Sequence, residues 1–200
     1  MSTTLQPMAG HPFILHFAPL LDKINSEDWL AFFRLNPEWH IELASDGDLI
    51  IQSLADGTHA TRSFKLTGIF GLWVKANGTG VGFGASAVFT LSNGAKRSPD
   101  LAWVKLARWQ ALSEDERRGF PPLCPDFVVE LRSHTDSLRM LQEKMQEYID
   151  NGALLGWLID PLEKKVYVYR PGAEAVCIDD PASLSGESLL AGFTLTLAEV

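Results

Sequence analysis

The segment Pro125-Asp126-Phe127-Val128-Val129-Glu130-Leu131-Arg132 constrains the fold more than any other part of the chain. It is the strongest strand signal in the sequence, yet it holds a glutamate in its interior, where glutamate is depleted. A buried charge is costly unless something pairs with it. Side chains alternate across a strand, so Phe127, Val129 and Leu131 share one face, and Asp126, Val128, Glu130 and Arg132 share the other. Glu130 and Arg132 then lie ~6.5–7 Å apart along the strand, a spacing at which an acid and a cation can meet one metal-bound phosphate. A similar segment, Ser98-Pro99-Asp100-Leu101-Ala102-Trp103-Val104, places Asp100 thirty residues before Glu130. If the two strands are neighbours, the carboxylates of Asp100 and Glu130 converge on a single ion. Asp126 reads as a residue that opens a strand rather than as a ligand.

The helix after this strand supplies a cation. Leu138, Leu141, Met145, Tyr148 and Ile149 form its apolar stripe. At ~100° per residue, Lys144 lies ~60° from Leu141 and ~40° from Tyr148. Lys144 therefore sits at or inside the edge of the buried face. Mg²⁺, or Mn²⁺, suits two carboxylates completed by waters and phosphate oxygens. Such an ion polarises a phosphoryl group and acidifies a bound water. A lysine nearby can orient that water, move a proton or stabilise developing negative charge. The plainer reading makes Asp100 structural and pairs Glu130 with Arg132 or Arg139.

The remaining pattern reads as one domain over 25–200 behind a lead-in over 1–24, with a short apolar stretch from Pro12 to Leu21. Asn25-Ser26-Glu27-Asp28 starts a helix, and Asn36-Pro37 stops it. Two apolar runs, 39–43 and 49–53, flank an Asp46-Gly47 turn and read as a hairpin. Thr58 is the expected cap of a helix from His59 to about Ala76, with Phe64, Ile69, Leu72, Trp73 and Ala76 on its buried face, and Asn77-Gly78 ends it. Gly80 to Gly84 reads as a loop into a strand over 85–91, and residues 92–98 as a turn. Strand signals follow at 99–104 and 125–131. Asp136 is the expected cap of the Lys144 helix, which Gly152 ends. Strands at 154–159 and 165–169 and weaker ones at 175–178 and 193–197 close the chain. Strand runs flanked by helices give a mixed α+β sheet.

Composition narrows the function. Apolar residues make up 46% of the chain, enough for a core and against global disorder. No run approaches the ~20 apolar residues of a membrane span, and the N-terminus lacks a signal-peptide core. The expected location is cytoplasmic, which suits isolated Cys124 and Cys177 as reduced thiols. No histidine pair has zinc spacing. Net charge is −8, from 25 acidic and 17 basic residues. Phosphate contacts dominate nucleic-acid affinity, so an acidic chain needs divalent metal, a local basic patch or a dimer-made groove to hold nucleic acid.

Asp100, the Glu130-Leu131-Arg132 strand and Lys144 together resemble the PD-(D/E)xK nuclease superfamily, most closely restriction endonucleases of the Uma type. The likeness covers about 25–198 and includes Ile41-Glu42-Leu43, Asn151-Gly152-Ala153, Gly156-Trp157-Leu158-Ile159-Asp160-Pro161 and Val166-Tyr167-Val168-Tyr169-Arg170. The resemblance implies a restriction-endonuclease-like central mixed sheet flanked by helices, with an N-terminal helix and hairpin. It implies Mg²⁺-dependent DNA cleavage, with Asp100 and Glu130 on metal and Glu42 as a further acid. By analogy it also implies a homodimer. The superfamily's usual lysine position holds Arg132, which cannot act as a base. Lys144 fits a lysine that has migrated to the following helix, leaving Arg132 to bind phosphate or lock Glu130. His59 opens a helix near the hairpin and can reach the cleft, although a lone histidine is commonly structural. His134 reads as a loop residue beside the site. A second function stays open: a nuclease-like module that binds nucleic acid or a protein partner without cleaving.

Overall fold

A computed structural model describes residues 12–16, 24–37, 39–52 and 56–200. In chain order the elements are β1 (Phe13–His16), α1 (Ser26–Leu35), β2 (His40–Leu43), β3 (Asp48–Gln52), α2 (Gly57–Asn77), β4 (Gly80–Gly84), β5 (Phe89–Thr90) and β6 (Lys96–Arg97). There follow β7 (Leu101–Lys105), α3 (Leu106–Ala111), α4 (Glu114–Arg118), β8 (Phe127–Leu131), α5 (Leu138–Asp150), β9 (Leu155–Asp160), β10 (Lys165–Tyr169), β11 (Val176–Asp179), β12 (Ser183–Ser185) and β13 (Thr194–Thr196).

The central six-stranded sheet runs β11-β10-β9-β8-β7-β4. It is mixed: β8 and β9 are parallel, and the other neighbours are antiparallel. A parallel pair needs a crossover, and α5 provides it. The alternation read in β8 holds. Phe127, Val129 and Leu131 pack with Leu66 and Phe70 of α2, while Val128 packs with Leu141, Met145, Tyr148 and Ile149 of α5. The apolar stripe of α5 therefore covers the face that carries Glu130. A five-stranded sheet, β1-β3-β2-β6-β5, stands beside it. There Trp29 of α1 closes on Ile41, Leu43 and Leu49.

Several local expectations change. Asp56, not Thr58, caps α2, accepting from the Thr58 and His59 amides at 2.8 and 2.9 Å. The buried face of α2 is built on Leu66 and Phe70; Phe64 and Leu72 are 79% and 73% exposed. A long helix with weak periodicity lets the apolar face be drawn one position off. Ser137 caps α5, and Asp136 instead accepts from the Ser133 amide and hydroxyl. The strand expected over 85–91 is displaced to Gly80–Gly84, which pairs with β7, leaving only Phe89–Thr90 as strand in the other sheet. Glycine weakens a strand signal, but Gly80 is required by crowding: a Cβ there would stand 2.3 Å from the Trp103 indole and 2.4 Å from the Val104 carbonyl. Part of the expected lead-in, Phe13–His16, pairs with β3; the rest of 1–23, apart from Pro12, lies outside the described residues, as does Ser53 of the expected hairpin. Among the described residues no helix is long and apolar enough to cross a membrane.

Candidate active site

Sheet register brings the two acidic segments together. β7 and β8 run antiparallel with Leu101 opposite Val129. Extending that register one step sets Asp100 across from Glu130. The Leu131 amide donates to Asp100 Oδ2 at 2.7 Å, which fixes the aspartate against the end of β8. Asp100, Glu130 and Lys144 line one cavity of about 590 Å³, together with His40, His59 and Asp136.

Lys144 stands between two acids. Its Nζ is 2.8 Å from Glu130 Oε1 and 2.8 Å from Glu42 Oε1, and it donates to the Ser98 carbonyl at 3.2 Å. Burial works against its charge, but Glu130 and Glu42 outweigh that and hold its pKa above the ordinary lysine value. Lys144 is thus an ammonium donor rather than a free base. Glu130 is pushed up to about 8 by burial, with Lys144 opposing and the Asp100 charge adding to the rise. Tyr148 donates to the same Glu130 oxygen at 3.3 Å.

Glu42 comes from β2 in the smaller sheet, so the site lies where the two sheets meet. Burial pushes its pKa up, yet Lys144, with His40 and Arg97, holds it well below the carboxylate range. The Ser98 amide donates to Glu42 Oε1 at 2.8 Å, and Arg97 Nη1 to Oε2 at 3.2 Å. Arg97 Nε in turn donates to Glu147 at 2.5 Å. His59, at the start of α2, holds Nε2 3.6 Å from Asp100 Oδ1. The Asp100 contact raises its pKa against the opposing effect of burial. Its Nδ1 is buried and has no hydrogen-bond partner among the described residues.

A sequence model of the Uma2 family, described as "Putative restriction endonuclease", matches residues 27–198. The chain belongs to this family. Among solved structures it is similar to one described as a putative nuclease belonging to DUF820 from Anabaena variabilis ATCC 29413. The two share 22% identity with a TM-score of 0.67, over 80% of this chain and 88% of that one. That likeness shows the restriction-endonuclease-like fold. No curated protein matches the sequence.

In this Uma2-family chain Arg132 neither binds Glu130 nor lines the cavity. The alternation that groups it with Glu130 ends with β8 at Leu131. Beyond it, Arg132 Nη1 donates to buried Asp160 at 2.6 Å and lies 3.6 Å from Glu163. Arg139 pairs with Glu143. Asp126 is structural: it accepts from the Lys105 amide at 2.9 Å and pairs with Arg108 at 3.0 Å. His134 is an exposed turn residue near His59 and Arg132. Sequence reasoning missed Arg97 and Glu147. Lys96 and Arg97 read as turn residues, yet they form β6 and are buried. The available signal was their place directly before Ser98-Pro99-Asp100, where a buried acid would need a cation.

Among the described residues no group of three or more His, Cys, Asp and Glu is arranged to hold a metal. Asp100 and Glu130, side by side on adjacent strands in this cavity, are the residues that could hold a largely hydrated hard cation.

Proposed function

We propose that this chain is a divalent-metal-dependent nuclease that hydrolyses phosphodiester bonds of DNA in the cavity between α2, β8 and α5. The observation carrying this reading is the meeting of Asp100, Glu130 and Lys144 in one cavity, within a family described as restriction endonucleases. Asp100 and Glu130 would hold Mg²⁺ or Mn²⁺. Such an ion, when bound, supplies charge neutralisation at the phosphate and a more acidic water.

The chain's own residues supply the rest. Lys144, kept charged by its two acids, sets a positive charge beside the phosphate and stabilises charge as it builds there. Glu42 and the Ser98 carbonyl fix the direction of the ammonium; Arg97, tied to Glu42 and Glu147, fixes Glu42. His59 orients Asp100 through its Oδ1. Glu130 is held in place by Lys144 and by the Tyr148 hydroxyl, which donates to the same oxygen.

The test incubates purified protein with plasmid and with single-stranded DNA in Mg²⁺ or Mn²⁺, beside Asp100→Ala, Glu130→Gln and Lys144→Ala. Cleavage lost in all three variants and abolished by EDTA supports the assignment. Cleavage unchanged by Asp100→Ala removes it. A second reading, a binding module without catalysis, draws on Arg132 at the usual lysine position and on the acidic charge balance. Calorimetry that finds no Mg²⁺ binding, with or without DNA, favours that module.

A further inference from the structure

A second cavity of about 730 Å³ adjoins the first and shares three wall residues with it, His40, Ala85 and Ser98. Its walls are aromatic: Phe33, Trp39, Phe83, Trp109 and Phe120. Two edge-to-face pairs build opposite parts of it, Phe83–Trp109 at 5.1 Å and Phe33–Phe120 at 5.0 Å between centroids. Its charged lining residues are all basic, Arg34, Arg117 and Arg118, and no acid lines it among the described residues. In a chain of net charge −8 this local sign stands out. Arg34 is exposed and has no ion pair among the described residues. Arg117 lies over the Trp109 ring, 5.9 Å from its centroid, with Nη2 donating to the Leu112 and Gln110 carbonyls. Arg118 is paired with Glu114.

We infer that this groove binds the single-stranded nucleic acid running out of the cleavage cavity, with unpaired bases against its aromatic walls and backbone phosphates near Arg34 and Arg117. The inference rests on the nuclease reading for its direction, since the groove adjoins the cleavage cavity along His40, Ala85 and Ser98. An apolar groove alone would fit a peptide as well. Aromatic faces with arginines beside them complement bases and phosphates. A paired base is stacked inside a duplex and has no free face for such a wall, so the groove selects unpaired strands.

The test measures fluorescence anisotropy of a labelled oligothymidylate and of a duplex of equal length, in Ca²⁺, on the full chain. Wild type should bind the single strand more tightly than the duplex. Trp109→Ala should weaken single-strand binding roughly five- to hundred-fold, and Trp109→Phe should restore most of it. Exposed Arg34→Glu, which leaves the packing untouched, should weaken it about five-fold or more. Equal single-strand affinity in wild type, Trp109→Ala and Arg34→Glu overturns the groove, and plasmid cleavage by the same variants shows separately whether the nuclease reading survives. Loss of binding in a protein that cleaves nothing keeps the groove and removes the nuclease. A wild-type dimer on light scattering that Trp109→Ala converts to monomer would give the groove to a second copy and overturn the inference.

Discussion

Glu42 shows how the site is held at the scale of single residues. Its two oxygens answer to Lys144, Arg97 and the Ser98 amide, all in buried surroundings. Removing one partner of such a network leaves uncompensated charge, which costs about 3–5 kcal/mol. Glu42→Gln should therefore lower the urea midpoint by a corresponding amount. The pH dependence has a definite sign. The folded pKa of Glu42 is depressed from 4.5, so its contribution is present above that unfolded value and is lost as pH falls through the folded value. Wild-type midpoints should fall on acidification below about pH 4.5, and the gap to Glu42→Gln should narrow with them. The cysteines give a second expectation. Cys124 is buried and pushed up to about 12 by that burial, whereas Cys177 is exposed. One thiol should react with an aromatic disulfide reagent at neutral pH, and the second only after unfolding. That Asp100, Glu130 and Lys144 meet in one cavity was legible in sequence, because Glu130 is an acid inside a strand, Asp100 directly precedes the neighbouring one and Lys144 edges an apolar helix face. Arg97 was not legible, because two adjacent basic residues next to a turn look solvated until a second sheet covers them.

At the scale of elements, β8 and α5 were legible because the period-2 and period-3.6 patterns are both strong there. β4 was not, since Gly80, Gly82 and Gly84 leave little β signal and its pairing with β7 is set by tertiary crowding against Trp103. That crowding is testable. In Gly80→Ala the new Cβ meets both the indole and the Val104 carbonyl, and the carbonyl cannot swing away. Overpacking of this kind costs ~1–3 kcal/mol, or roughly 2–4 °C of Tm for each kcal/mol in a chain this size. Gly156→Ala is the control: its nearest contact, at 2.4 Å, is Met145 Cε, the free end of a flexible side chain, with Val128 Cγ2 next at 3.5 Å. Calorimetric scans should show the larger loss at Gly80, and the reverse order would mean that β4 shifts more easily than the sheet around Met145.

For the whole molecule, the acidic balance and the proposed substrate pull in opposite directions. A chain of net charge −8 with Asp100 and Glu130 at its cavity repels phosphate unless the local field is inverted. The proposed function and the inferred groove supply two means of doing so: a divalent cation that Asp100 and Glu130 would hold, and the arginines beside them. Each makes a separate mark on binding. Without divalent metal, Asp100, Glu130 and Glu42 together outweigh the charge of Lys144, so EDTA should weaken single-strand affinity and Ca²⁺ should restore it. Of the groove's arginines, Arg118 is held by Glu114, which leaves Arg34 and Arg117 for phosphate. At about 0.7 counterions released per phosphate contact, a plot of log affinity against log salt should have a slope of about −1.4 in Ca²⁺. A steep slope, beyond about −4, would require more phosphate contacts than the groove's cations can make and would place binding on another surface. A shallow slope that Arg34→Glu flattens further, with affinity still dependent on divalent metal, is the signature of an acidic protein that holds nucleic acid through one short basic path and the ion at its end.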